Sequence, residues 1–179
     1  MATLQFQTRV PKQDLRERLR NLGAILAGRR SDPHGIGRAF RAFLTQACFE
    51  LWQKSYRQKA AGGPGLDGRH WKPLSPRTLA TPTFPKRKGI LRVTDRLYKS
   101  LTPGVVVNGD YYKGNQDQSV TMQATKLTLG TSVPYATKHN KGTGRIPARP
   151  FLTPDVVQEA KRLAMFRLVR WMNQRNILP

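Results

Sequence analysis

The sequence is poor in cysteine, histidine and acid: one Cys, three His and ten Asp plus Glu in 179 residues. Each scarcity excludes something. The lone Cys48 rules out an intrachain disulfide, and its place on an apolar helical stripe reads as a buried, unreactive thiol suited to a reducing cytoplasm. His34, His70 and His139 lie far apart and show none of the H-x-x-x-H or C-x-x-C spacings of a metal site, so they read as surface histidines. The carboxylates are equally dispersed. Asp67, Asp95, Asp110 and Asp117 each stand alone, while Asp14/Glu17 and Asp155/Glu159 have the spacing of charges at helix N-termini. No acid–base pair, phosphate loop or G-x-S-x-G elbow is visible, which leaves no residue to nominate as catalytic and no cofactor to expect. No stretch approaches the ~18 apolar residues of a membrane span, and no apolar run follows a basic start, so a soluble chain without a membrane partner is expected.

What is abundant is positive charge. Lys plus Arg number 32 against 10 acids, giving a net charge of +22 and a pI near 11.4. The cations are spread along the chain rather than gathered in a tail. Such a surface repels copies of itself and attracts polyanions, either nucleic acid or an acidic protein face.

Periodicity sketches an α+β chain in three parts. Residues 1–60 read as an N-terminal helical hairpin. Its first helix carries Leu15, Leu19, Leu22 and Leu26 on one face, with Pro11 able to start it and Gly28 to end it. The second carries Ile36, Phe40, Phe43, Leu44, Ala47, Cys48 and Leu51 on one stripe, with Asp32 as cap and Pro33 as first residue. Residues 61–89 are rich in Gly and Pro and read as a long extended arm with one anchored point, Trp71, containing a short helix at "SPRTLA". Residues 90–179 read as an α+β core. It begins with an amphipathic helix over "ILRVTDRLYKSL", and two or three strands follow in one small antiparallel sheet with turns at Asn108-Gly109 and Lys113-Gly114. A short helix or turn at "PYATKHNKGTG" and a C-terminal helix capped by Thr153 or Asp155 complete it.

Four segments in fixed order, "GLDGRHWKPLSPRTL", "KGILRVTDRLYKSL", "LTLGTSVPYATKHNKG" and "IPARPFL", resemble the phage virion morphogenesis proteins, the tail-completion group that includes the Mu-like tail-completion protein. The resemblance spans about Gly65 to Leu152. Asp95 departs from the pattern where it favours glycine, and Asn140 where it favours glutamine. The resemblance implies a structural, non-enzymatic protein that joins head to tail as a hexameric ring in the virion neck, after assembly in the host cytoplasm. Its implied partners are copies of itself, head connector proteins, the tail terminator or tail tube, and genomic DNA in the channel. The contact residues expected are Trp71, Arg145, Arg149 and Phe151 toward neighbouring subunits, and Lys86, Arg87 and Lys88 toward DNA or an acidic partner. In "RIPARPFL" the two prolines restrict the backbone, so Arg149 is expected to project in a fixed direction toward a neighbour's carboxylate, although Phe151 and Leu152 can equally dock on the chain's own sheet. The rival reading from the charge alone is a sequence-independent nucleic-acid-binding protein.

Overall fold

A 25-residue helix with more than half of its residues buried organises the molecule. In the computed structural model, which describes residues 12–27, 31–80, 90–91, 94–123, 126–144 and 146–177, this central helix is α2 (Ile36–Ala60). It follows α1 (Lys12–Leu26) and precedes α3 (Pro76–Ala80) and α4 (Arg96–Lys99). Two antiparallel hairpins come next, β1 (Val105–Val107) with β2 (Asp110–Tyr112) and β3 (Gln118–Met122) with β4 (Leu127–Thr131). The chain closes with α5 (Ala136–Lys141) and α6 (Val156–Gln174). The class is α+β, as the periodicity indicates. Pro11 and Gly28, the expected ends of the first helix, lie outside the described residues.

The start of α2 is held by Asp32, whose carboxylate accepts the amides of Ile36 at 2.6 Å and Gly37 at 2.8 Å. Pro33 is not the first helical residue. It belongs to the turn before Gly35, whose left-handed φ of 67° lets the chain enter the helix at Ile36. The buried face of α2 matches the expected stripe in part: Ile36, Ala47, Cys48 and Leu51 are buried as expected. Ala39, Ala42, Thr45, Ala47, Phe49 and Tyr56 are fully buried, whereas Phe40, Phe43 and Leu44 are only partly covered. The small residues matter because they let α6 approach closely. Ala160, Ala164 and Leu168 are likewise fully buried, and α2 and α6 form the largest interhelical contact among the described residues. Arg167, which falls on an apolar row of the α6 pattern, pairs with Glu50 at 2.7 Å and Gln46 at 3.1 Å across that contact. Leu22, Ile25 and Leu26 of α1 pack on the end of the pair near Ile36, Trp171 and Met172.

The expected single sheet is two separate ribbons. Asn108-Gly109 makes the tight β1–β2 turn with φ of 54° and 86°, the left-handed pair that a two-residue hairpin requires. Lys113-Gly114 makes no hairpin turn; it opens the loop that parts the ribbons. Gln118, 2% exposed, ties that loop down. Its amide nitrogen donates to the Thr102 carbonyl, and its amide oxygen accepts from the Tyr111 hydroxyl at 3.0 Å and the Gly114 amide at 3.2 Å. A buried amide with its main hydrogen-bonding groups satisfied fixes one conformation of the loop between the ribbons.

The helix expected over Ile90–Leu101 is reduced to the single turn α4. Leu91 at φ 61° and Asp95 at φ 55° are left-handed, which a continuous helix forbids; Arg92 and Val93 lie outside the described residues. The Arg96 guanidinium then grips Asp117 with two hydrogen bonds of 2.9 Å, holding that carboxyl below its ordinary value. Asp95 is one of the few non-glycine residues with a left-handed backbone among the described residues. Asp95→Gly is expected to be more stable than Asp95→Ala by about 1 kcal/mol, because both lose the same side chain and only alanine retains the left-handed strain. Paired urea melts measure the difference, and equal stabilities would contradict it.

Candidate functional site

The Gly/Pro-rich segment after α2 is fastened at several points rather than one, at least as far as Ala80, where its described part ends. Its first fastening is a buried ion pair. Lys59, in the last turn of α2, reaches Asp67 at 2.6 Å, with the two side chains 1% and 2% exposed. Burial alone would push the Asp67 carboxyl up, but the Lys59 ammonium and the Arg69 amide outweigh it and hold the group below its ordinary value. The "GGPGLDG" sequence makes this approach possible: a Cβ on Gly65 would overlap the Lys59 side chain and the Ser55 hydroxyl. That hydroxyl instead accepts the Leu66 amide at 3.1 Å, and His70 Nδ1 lies 3.0 Å from the Gly62 carbonyl.

Trp71 is the second fastening. It is 5% exposed and meets Tyr56 edge-on with ring centroids 4.9 Å apart. Its indole N–H donates to the Pro150 carbonyl at 3.0 Å, an oxygen that Lys59 also reaches at 3.3 Å. Phe151, 2% exposed, packs against the same Tyr56 ring at 5.9 Å. The two expected interface aromatics are therefore core residues of their own protomer, and an aromatic so covered offers no surface to a neighbour.

Arg149 likewise turns inward. It is 5% exposed, and its guanidinium donates to the Lys72 carbonyl at 3.3 Å from Nε and 3.2 Å from Nη2. The expected outward-pointing cation is thus a strut between "RPFL" and the arm. Its fixed direction does follow from the local backbone: the Arg149 amide donates to the His139 carbonyl at 2.8 Å. The Phe151 and Leu152 amides donate to the Asn140 side-chain oxygen at 2.9 and 3.1 Å. The segment "ARPFL" is therefore laid along α5, with Gly142 leaving room for Ala148. Thr143 and Ile146 close a tight turn before it. Arg145 in that turn, and Lys86, Arg87 and Lys88 in the arm, lie outside the described residues.

These pieces enclose a cleft of about 680 Å³. Lys72, Leu74 and Ser75 form one wall, Ile146 and Arg149 the other, with His139 between them. Burial, and secondarily the Arg149 charge, hold the His139 imidazole below its ordinary value, so the ring is neutral at pH 7. Its buried Nδ1 has no hydrogen-bond partner. Burial also lowers the Arg149 guanidinium from its ordinary value without bringing it near neutrality. His139 is thus no surface histidine. It was missed because a solitary His in a polar run carries no periodic signal.

Cys48 is 3% exposed, and burial pushes its thiol up to about 11, which makes it inert. Among the described residues no three His, Cys, Asp or Glu side chains cluster as a metal site would, and no helix is long and apolar enough to cross a membrane. No family model, curated protein or solved structure matches this chain.

Proposed function

We propose that this chain is a structural head–tail joining protein of a tailed bacteriophage, a tail-completion subunit that assembles as a ring in the virion neck. One observation carries the reading. Three of the four segments that resemble the tail-completion family, separated by up to 77 positions, converge on one cleft: Lys72 from the first, His139 from the third and Arg149 from the fourth, with Trp71 and Phe151 packed in the core beside it. The remaining segment supplies Leu91 to the same cleft and places Asp95 in the conformation natural to the glycine of the family pattern. That these segments meet in one place supports the reading.

The charge fits the same role. Subunits of +22 packed side by side around a channel would repel one another, so the ring gains its cohesion from acidic surfaces of connector, terminator or tube proteins, or from DNA in the channel. No enzymatic step is part of the proposal. Loss of the chain is expected to yield DNA-filled heads and finished tails that remain separate, and purified protein added to such an extract is expected to join them. Joined, infectious particles formed without the chain would overturn the reading. Tight binding of DNA by the isolated monomer, with a steep salt dependence and no effect on joining, would favour a sequence-independent nucleic-acid-binding protein instead.

A further inference from the structure

We propose that the Arg149 cleft is a receptor for an acidic side chain carried by an extended peptide segment of a partner protein. The argument begins with the guanidinium. Arg149 is almost wholly withdrawn from water, yet among the described residues it meets no carboxylate, and its bonds to the Lys72 carbonyl use only Nε and Nη2. A buried guanidinium is ordinarily matched by an anion, because a carbonyl offsets only part of the hydration it has lost. Among the described residues Nη1 has no hydrogen-bond partner, which leaves part of the guanidinium fork for a carboxylate.

The chain itself has little to offer as the anion. Glu50, Asp67, Asp110, Asp117 and Glu159 are each paired with a cation, and Asp32 caps α2. Asp14, Glu17, Asp95 and Asp155 complete the ten acids, and no Asp or Glu is among the described residues that line the cleft. The carboxylate therefore comes from another molecule.

The walls decide between peptide and nucleic acid. Pro73, Leu74, Leu91, Ile146 and Pro147 border the opening, so a ligand must bring apolar surface beside its charge. A phosphodiester backbone binds to open, solvated cationic surfaces, and a recessed guanidinium with Lys72 beside it and apolar residues around the opening suits it poorly. An Asp or Glu flanked by an aliphatic residue satisfies both features. The cleft needs no neck assembly to exist, so this inference stands apart from the virion role and is tested on the purified chain.

The probe is a blocked tetrapeptide, acetyl-Leu-Asp-Glu-Ile-amide, with acetyl-Leu-Asn-Gln-Ile-amide and inorganic phosphate as controls at matched ionic strength. Saturable shifts of the His139 ring resonances are expected with the acidic peptide alone. Arg149→Gln is expected to weaken binding about tenfold or more, the effect of removing one partner of a recessed charge pair. Since Arg149 also holds the arm, Leu74→Glu gives a second route: a carboxylate placed on the cleft wall competes for the guanidinium, leaving a folded protein that no longer takes the peptide. Arg170→Gln, on the exposed side of α6, is expected to bind as wild type. Equal shifts with phosphate or with the neutral peptide, or undiminished binding by folded Leu74→Glu, would overturn the proposal.

Discussion

Asp67→Asn is expected to destabilise the folded chain by about 3–5 kcal/mol, because it leaves the Lys59 ammonium buried without its counter-charge. In a domain of this size that loss lowers Tm by roughly 6–20 °C. The cost is that of breaking a pair, not the worth of the pair. Replacing both partners, Lys59→Met with Asp67→Leu, is expected to recover most of the loss, since two desolvated ions give way to two apolar side chains of similar size. The sign of the pH dependence follows from the carboxyl. Asp67 is held below its ordinary value in the folded state, so its contribution is present above the unfolded carboxylate range, near pH ~4, and is lost as pH falls through the lower folded value. Wild type and Asp67→Asn should therefore differ most at neutral pH and converge in acid. Denaturant melts across that range make the comparison. A difference under 1 kcal/mol at pH 7, or one that widens in acid, would show that the pair does not hold the arm.

Trp71→Ala should cost about 3–5 kcal/mol, the price of emptying a large aromatic site in a packed core. Its effect reaches further than the cavity. Trp71 sets the position of Lys72, whose carbonyl is the hydrogen-bond acceptor of the Arg149 guanidinium, so losing the indole frees two strands of the cleft together. Trp71→Phe retains most of the contact with Tyr56 and loses the bond to the Pro150 carbonyl, an oxygen still served by Lys59, so about 1–2 kcal/mol is expected. The alanine variant should also become sensitive to trypsin after Arg69, where wild type resists. A variant that melts within about 2 °C of wild type and shows no new cleavage would remove Trp71 as the anchor.

Both predictions fall in a segment whose sequence reads as loose. Gly and Pro between Ala61 and Ala80 correctly exclude regular structure beyond the short α3, and Trp71 correctly marks a point of attachment. The remaining attachments carry no local signature. A lysine near a helix end and an aspartate in a turn are by default solvated, and only the close passage at Gly65 converts them into a buried pair.

What the sequence by itself determined is what depends on neighbours along the chain. The helical periods of α1, α2 and α6, the Asn108-Gly109 hairpin, the capping role of Asp32, the α+β class and the net charge of +22 all follow from spacing or composition. The tertiary structure decided which faces are buried and where isolated charges go. On α2 the bulky Phe40 and Phe43 suggest the centre of the core, yet Ala39 and Ala42 are the fully buried residues, and the two rings pack partly exposed against the cluster of Ile36, Leu168 and Trp171. Arg149 reads as an outward clip because arginine usually is solvated; the folded chain turns it inward because the carbonyl that receives it, Lys72, lies 77 residues earlier. Gln118 likewise finds its partner away from its own strand, at the Thr102 carbonyl. Local periodicity is fixed by backbone geometry that every chain shares, whereas the fate of a single polar side chain depends on which remote acceptor the fold delivers to it.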